Sequence, residues 1–529
     1  MKLTYIDYND LPFIATRDLH YLKQDPKLRP FYTYEPVIEA FTQVIEARKK
    51  HPVDRNLLAD ILLRQYQDRS TEPHTIAQIE QLRAENTFTV ITAHQPSLFT
   101  GPLYYIYKIL SCIHLSQQVE VHNPDYRIIP LFILGGEDHD FAEINHLHLG
   151  DKTIEWQHPM TGGACGRLSL DGLAACIEDV KRVLGDGSFT EEVISTLQEC
   201  YSGEHNYAEA TIRFIHHLFG QLGLVILNMD EPEFKATFKQ FIIDDLIAHR
   251  SAQLVPPVQA ELEAAGYPAQ AFVRDINLFY FSGNQRERIE QDDNGYLLVD
   301  TLQHFTREEL LEIAEQHPER FSPNVILRPL YQETIVPNLA YIGGGGELAY
   351  WLERKKQFQY YDLPFPMLVR RNSAAWLDEH AQASIRKGGR PLTDYFVANT
   401  DALIADFIRD TSNISLEDAR AEMELIFKQI MDQGQSIDSK LSFPIEGVRV
   451  RMNKYLDRLE QKMVRAEKRK QEPAIHRLLH NHHLLFPNHT LQERYSNFLP
   501  IYTRQGRKWL DELLPYFDPL DHRFLLFEA

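Results

Sequence analysis

The sequence predicts an α/β fold built on a doubly wound parallel sheet, and three features predict it. A β-branched run, Phe88-Thr-Val-Ile-Thr92, is followed by apolar positions at helical spacing: Leu103, Ile106, Tyr107, Leu110 and Ile113. Next, residues 127–134 form a near-continuous apolar run that stops at Gly135-Gly136. Strand, helix and strand in that order make a βαβ unit, which sets the two strands parallel. A strand apolar along its whole length is one covered on both faces, as in an open parallel sheet.

The elements follow in order. Residues 1–87 read as a mostly helical, polar segment punctuated by Pro26, Pro30 and Pro36. Pro96 has no N–H for a ladder, so the first strand ends before it, and Pro102 suits the first turn of a helix with one buried face. Pro130 counts against a long central strand, so pairing is expected to begin there. Further strands are expected at 223–227, 278–281, 340–342 and 366–369. Their wide separation implies insertions, the largest over about 151–330.

The last third changes texture. Leu416, Ala419, Met423, Ile426 and Ile430 step by 3 and 4 alternately, as do Ile445, Val448, Met452, Tyr455 and Leu459. Met463 and Ala466 then shift the pattern, a stutter that locally unwinds a supercoil. Pro444 opens the second helix and Pro473 closes it, so the two form an antiparallel hairpin. Its seam is filled within the hairpin, by the main body or by a second copy. Four units result: 1–87, a core over 88–380, a helical coiled-coil arm over 381–480, and a segment over 481–529 that returns to the core.

Composition narrows the function. At 529 residues the chain exceeds one ordinary domain. With 55 basic against 75 acidic residues the net charge is −20, which repels phosphate backbones and disfavours nucleic-acid binding. Cys112, Cys165, Cys176 and Cys200 have no CxxC spacing and make no disulfide framework, so a reducing cytoplasm is expected. The start lacks a basic segment with an apolar run behind it, and no uninterrupted apolar stretch reaches ~18 residues. A soluble protein without membrane contact is therefore expected.

Three strand-end segments combine glycine with polar groups, where ligands bind in doubly wound sheets. The first, Ala93-His94-Gln95-Pro-Ser-Leu-Phe-Thr100-Gly101-Pro102, hands a strand to a helix, so amides around 100–103 are candidates to face an anion. It has no Walker spacing. The second, Gly135-Gly-Glu137-Asp138-His139-Asp140, packs three carboxylates and a histidine behind a buried strand. Neighbouring acids in a cleft spread their pKa values, as acid–base chemistry needs. A metal is the rival reading, yet no zinc spacing is present and no metal is expected. The third holds Gly343, Gly344, Gly345, Gly346 and Glu347, a strand end meeting a helix start. Its glycines let backbone approach a ligand, though it does not fit GxGxxG. Each segment also has a plain reading as a turn that satisfies its own backbone. The basic run 454–470, with seven Lys/Arg against three acids, reads as a solvated helix face. His480-Asn-His-His483 is expected in a polar loop.

At these segments the chain resembles the BshC family, to which a cysteine-ligase step of bacillithiol biosynthesis is ascribed. The likeness lies in His94-Gln-Pro-Ser-Leu-Phe-Thr-Gly-Pro102, Gly136-Glu-Asp-His-Asp140 with Glu143-Ile-Asn-His146, and Ser322-Pro-Asn-Val-Ile-Leu-Arg-Pro329. It continues in Ala340-Tyr-Ile-Gly-Gly-Gly-Gly-Glu-Leu-Ala-Tyr-Trp351, Arg465-Ala-Glu-Lys-Arg-Lys470, Leu485-Phe-Pro-Asn-His-Thr-Leu-Gln-Glu-Arg494, Asn497-Phe-Leu-Pro500 and Asp518-Pro-Leu-Asp-His522. One turn departs, reading Ala93-His94-Gln95 where many relatives are expected to carry Gly-Gln-Gln, which shifts weight from His94 to Gln95. The resemblance implies a Rossmann-like core akin in architecture to class I aminoacyl-tRNA synthetases, with connecting insertions and a coiled coil that mediates homodimerisation. It implies a ligase that joins cysteine to the amine of glucosaminyl-malate, with ATP or another nucleotide as activating cosubstrate. On that basis Glu137, Asp138, His139 and His94 are the catalytic candidates. Gln95, Thr100, Gly101, Tyr104, Asp140, Asn145 and Arg328 are the substrate-binding ones, and glycines 343–346 with Glu347 the nucleotide or anion site. The rivals are a synthetase- or nucleotidyltransferase-like enzyme acting on another amine and a non-catalytic dimeric scaffold.

Overall fold

Five parallel strands form the core sheet: β1 (Thr87–His94), β2 (Arg127–Leu134), β3 (Val225–Asn228), β4 (Asn338–Gly343) and β5 (Met367–Arg370). The computed structural model describes residues 1–67, 73–160, 162–283, 285–293, 295–397, 399–412 and 414–529. Strand order across the sheet is β5-β4-β1-β2-β3, so the chain builds outward from β1 in one direction and then returns to build in the other. Nearly every side chain of β1, β2 and β4 is buried, as strands covered on both faces require. Pro130 has the expected effect on one side only. β2 pairs with β1 from Arg127 onward, while its pairing with β3 begins at Leu131, one residue past the missing N–H.

Helix α1 (Tyr104–His122) crosses between β1 and β2, with Pro102 just before its cap rather than in its first turn. It was expected to bury one face and buries nearly all of its length. The outer face is covered by the chain's last residues: Tyr107 packs on Phe517 at 4.9 Å, and His114 Nδ1 meets the Leu514 carbonyl at 3.0 Å. Ser111 is fully buried beside that cover and bonds Asn372, whose amide reaches the Asp518 carbonyl, while Lys108 is fully buried where it meets Glu347 and the Ala93 carbonyl.

Two insertions split the core. The first, between β2 and β3, contains the hairpin His146–Leu149 with Lys152–Glu155 and the helices Leu173–Leu184, Thr190–Cys200 and Tyr207–Phe219. The second, between β3 and β4, contains the helices Pro232–Ala248 and Arg250–Ala264 and a separate five-stranded antiparallel sheet. The strand expected at 278–281 exists as Leu278–Ser282, but it belongs to this antiparallel sheet and not to the core. Core strand β3 lies inside the 151–330 stretch that was read as one insertion.

The segment 1–87 opens with a strand, Lys2–Asp7, where a helical segment was expected. It pairs antiparallel with the final strand Arg523–Glu528, which in turn pairs parallel with Ala374–Leu377. The arm is the expected hairpin of two helices, Glu417–Ile437 and Ser442–Lys470. Arg420 bonds Asp457 at 2.8 Å and Glu460 at 2.9 Å, and Arg449 reaches Glu424 at 2.8 Å, which fixes the antiparallel register. Pro444 sits in the first turn of the second helix, and Pro473 starts the next one, Glu472–Leu485. That helix carries residues 480–483, so these histidines are not in a loop. His482 is buried, stacks on Phe486 and bonds the Val397 carbonyl. Among the described residues no helix is long and apolar enough to cross a membrane.

The amino-terminal segment meets the core at the glycine run. A Cβ built on Gly345 would lie 1.9 Å from Asp18 Oδ2, a carboxylate that also binds Arg370 Nε at 3.1 Å. Gly345→Ala is therefore expected to cost about 1–3 kcal/mol, the range for overpacking a filled site. Urea denaturation monitored by fluorescence, with Gly346→Ala as the unhindered control, measures it.

Candidate active site

The reversal of strand order falls between β4 and β1, and the crevice beyond their carboxyl ends holds a cavity of about 600 Å³. Four strands deliver its walls. His94 and Gln95 come from the end of β1, Gly135, Asp138 and His139 from the end of β2, Gly344, Gly346 and Glu347 from the end of β4, and Arg371 from the end of β5. The second insertion adds Arg286 and Arg328, and the carboxyl-terminal segment adds Arg494.

Asp138 is the centre of one wall. Its carboxylate accepts from Gln95 Nε2 at 2.7 Å and lies 3.7 Å from the Arg286 guanidinium. Burial works to raise its pKa, but Arg328, Arg286 and the Gln95 amide together hold it down at about 2. It is a permanent anion at neutral pH. Gln95 Nε2 also reaches Glu143 at 3.1 Å, which sets two carboxylates around one amide. His139 Nδ1 lies 2.8 Å from Arg286 NH1, a group with only protons to offer, so this nitrogen accepts and Nε2 carries the ring proton. Burial and then Arg286 lower its pKa, so the ring is neutral.

The opposite wall is pinned by a buried ion pair. Lys108 Nζ bonds both Glu347 oxygens at 2.7 Å as well as the Ala93 carbonyl, and Tyr341 donates to Glu347 at 2.6 Å. Glu347 also accepts from the Gly344 amide at the helix start. Among the described residues the amides of Gly345 and Gly346 have no hydrogen-bond partner. Arg371 donates to Glu493 at 2.8 Å, and its guanidinium lies 5.2 Å from the Tyr104 ring centroid.

Models of a protein family match this chain end to end. The one described as "Bacillithiol biosynthesis BshC, N-terminal Rossmann-like domain" covers residues 1–372, and its "C-terminal coiled-coil domain" covers 374–529. The chain belongs to the BshC family. Similar proteins carry the name "Putative cysteine ligase BshC". The one from Christiangramia forsetii is 35% identical, with 99% of this chain and 98% of that protein covered. The Flavobacterium psychrophilum protein is also 35% identical, covering 99% of both, and the Geobacillus kaustophilus protein is 31% identical over 91% of this chain and 92% of its own. The family's Rossmann-like domain ends at the last core strand, and its coiled-coil domain includes both the arm and the returning tail.

Several expected site residues of this BshC-family chain lie elsewhere. Glu137 points beneath the cavity, into a buried ion pair with Lys235, whose Nζ also bonds the Phe321 carbonyl. Asp140 is exposed and caps the short helix Phe141–Ile144, and Asn145 spends its amide on the Trp156 carbonyl. Thr100 and Gly101 are buried in the turn, their amides bonded to Ser97 and Leu98, and the Leu103 amide bonds Ser496. No amide there is left for an anion. Gly343 and Gly345 shape the turn, whereas Gly344 and Gly346 border the cavity. Tyr104 and Arg328 line the cavity, and among the described residues the Arg328 guanidinium has no hydrogen-bond partner. The sequence reading missed Lys108, Arg286, Tyr341, Arg371, Glu493 and Arg494. Arg371 had a signal, since it lies two residues past the end of an expected strand. Among the described residues no group of three or more His, Cys, Asp or Glu is placed to hold a metal ion.

His94 bridges the walls. Nδ1 faces the Gln95 carbonyl at 3.1 Å and so carries the proton, and Nε2 accepts from Tyr104 at 2.9 Å. Burial, with Lys108 nearby, lowers its pKa to about 4. Between about pH 4 and 6.5 the unfolded chain binds a proton that the native chain refuses, so stability falls as pH falls through this window. His94→Gln is expected to flatten that slope in urea melts run from pH 4.5 to 7. Glu137→Gln leaves the Lys235 charge buried and unpaired and is expected to cost about 3–5 kcal/mol by the same method.

Proposed function

We propose that this protein joins the carboxyl group of L-cysteine to the amine of glucosaminyl-malate, in the last step of bacillithiol biosynthesis in the cytoplasm. The observation that carries the reading is the pairing, in one cavity at the sheet's switch point, of an ionised Asp138 with guanidinium groups at Arg286, Arg328, Arg371 and Arg494. Glucosaminyl-malate is an amine attached to a dicarboxylate. The arginines suit its malate carboxylates, since guanidinium binds carboxylate in a two-point fork. The chain as a whole is acidic, so this cationic cluster is a local feature and attracts what the rest of the surface repels.

Amide formation from a free carboxylate and an amine is uphill in water, so the cysteine carboxylate needs activation. ATP or another nucleotide would supply it: a carboxylate oxygen bonds to phosphorus as a phosphoanhydride bond breaks, and the phosphate or nucleotide so attached leaves with that oxygen when the amine forms the C–N bond. The open Gly346 amide at a helix start, with Arg371 on the same cavity, fits a phosphate there. The nearby Glu347 carboxylate does not oppose it at full strength, because Lys108 pairs with it. Asp138 then accepts a hydrogen bond from the attacking amine and aims its lone pair. Glu143, tied to the same Gln95 amide, takes the proton that the amine loses as the C–N bond forms. His139 offers its Nε2–H to a sugar hydroxyl. A homodimer through the arm accompanies this reading, because Leu425, Phe443 and Tyr455 stand exposed on the arm at 64%, 89% and 59%.

Cysteine addition to glucosaminyl-malate, followed by mass spectrometry with and without ATP, tests the reaction. Asp138→Asn is expected to lower kcat/KM by roughly a hundredfold, and His139→Ala by about tenfold, as lost positioning and charge would. Near-wild-type rates in both variants would discard the assignment. Product formed from another amine in preference would favour the broader synthetase-like reading.

A further inference from the structure

The carboxyl-terminal segment after the arm lies more than a hundred residues beyond the last core strand, yet it is built into the cavity wall. Three of its side chains fasten it. Gln492 binds Trp376 as a strand would, accepting from its amide at 2.7 Å and donating to its carbonyl at 2.9 Å. Asn497 Nδ2 donates to the Phe99 and Gly101 carbonyls, at 3.1 and 2.6 Å, and so holds the left-handed turn that follows β1. Between them Glu493, only 1% exposed, spends one oxygen on Arg371 NH2 and the other on the Ala374 amide, each at 2.8 Å.

These contacts leave Arg371 with little freedom. NH2 is held by Glu493, NH1 by the Asn372 carbonyl at 2.8 Å, and the guanidinium lies over Tyr104, whose hydroxyl bonds His94. Arg371 is 4% exposed and still borders the cavity. The next residue of the segment, Arg494, borders the same cavity, and among the described residues its guanidinium has no hydrogen-bond or ion-pair partner. An arginine without a partner, beside one fixed by a buried carboxylate, is an arrangement that receives an anion from outside.

We propose that residues 493 and 494 complete the active-site cavity, Glu493 as the positioning residue for Arg371 and Arg494 as a direct ligand of an anionic substrate group. That group is a carboxylate, the malate end of the sugar substrate. Phosphate shares the chemistry and is distinguished by experiment. Which anion binds follows from the ligase reading above; that the two arginines bind one does not depend on it.

Calorimetry on the full-length chain, with L-malate and separately with ATP as titrants, is the test. Arg494→Ala is expected to weaken L-malate binding about tenfold without moving the melting temperature, because the side chain is exposed and unpaired. Glu493→Gln is expected to weaken it by a similar factor, with Glu493→Asp recovering part of the loss, since a carboxylate and not mere volume holds Arg371. A loss seen with ATP and absent with L-malate keeps the site and reassigns it to phosphate. Unchanged affinity in Arg494→Ala, or a wild-type chain that binds neither titrant, overturns the proposal. If Glu493→Gln lowers the melting temperature but the folded protein keeps its affinity, Glu493 is structural only. Weakened binding in the variants together with no cysteine addition by the wild type would sink the ligase reading and leave the anion site standing.

Discussion

The buried pair between Lys108 and Glu347 is the constraint on which the site depends. Lys108 belongs to the helix that leaves β1, Glu347 to the helix that leaves β4, and these strands flank the point where the sheet reverses its order. Neighbouring strands alone would leave the two loops free to splay. A fully buried ammonium cannot be left unpaired, so the loops are held at one separation. The Ala93 carbonyl and Tyr341 hydroxyl complete the pair, and each belongs to one of those strands. Desolvation lowers the Lys108 pKa and opposes the pair, while Glu347 acts against that loss, so each partner keeps the other charged.

From this junction the site extends as a chain of contacts around the cavity. Glu493 holds Arg371, Arg371 covers Tyr104, Tyr104 bonds His94, His94 turns the Gln95 carbonyl, and Gln95 carries Asp138 and Glu143. The neutral His94 thus bridges two polar walls. Its low pKa follows from burial, with the Lys108 charge nearby adding to it. The acidic loop after β2 divides in the same spirit: Asp138 and His139 turn toward the cavity, and Glu137 turns beneath it to Lys235.

Much of this was legible before any coordinates, and what was missed shares a cause. Local signals read well: the apolar run at β2, the four glycines after β4, and the 3–4 stepping of the arm each depend on neighbours in sequence. The parallel core and its strand-end loops followed from them. Contacts between distant residues did not. Helix α1 read as one-faced because nothing nearby reveals that residues 514–517 cover its outer side, and Lys108 passed unnoticed because its partner Glu347 lies 239 residues away. Asp138 and Glu137 are adjacent and chemically alike, so only the position of Lys235, 98 residues away, tells which one the cavity receives. Strand 278–282 has a core-like sequence and was assigned to the wrong sheet, since sequence carries the period of a strand but not its partner.

The pairing of the chain's first strand with its last has a consequence for how the protein is made. Arg523–Glu528 is the middle strand of its sheet, between Lys2–Asp7 and Ala374–Leu377. Its two neighbours are both synthesised earlier and have no partner until it arrives. The strand Lys2–Asp7 therefore waits until residues 523–528 are made with its edge unprotected, an invitation to wrong partners. Residues 514–517 also cover α1, so Tyr107 and His114 stay open to solvent until that stretch is made. The part of the cavity wall that Arg494 supplies is likewise a late addition.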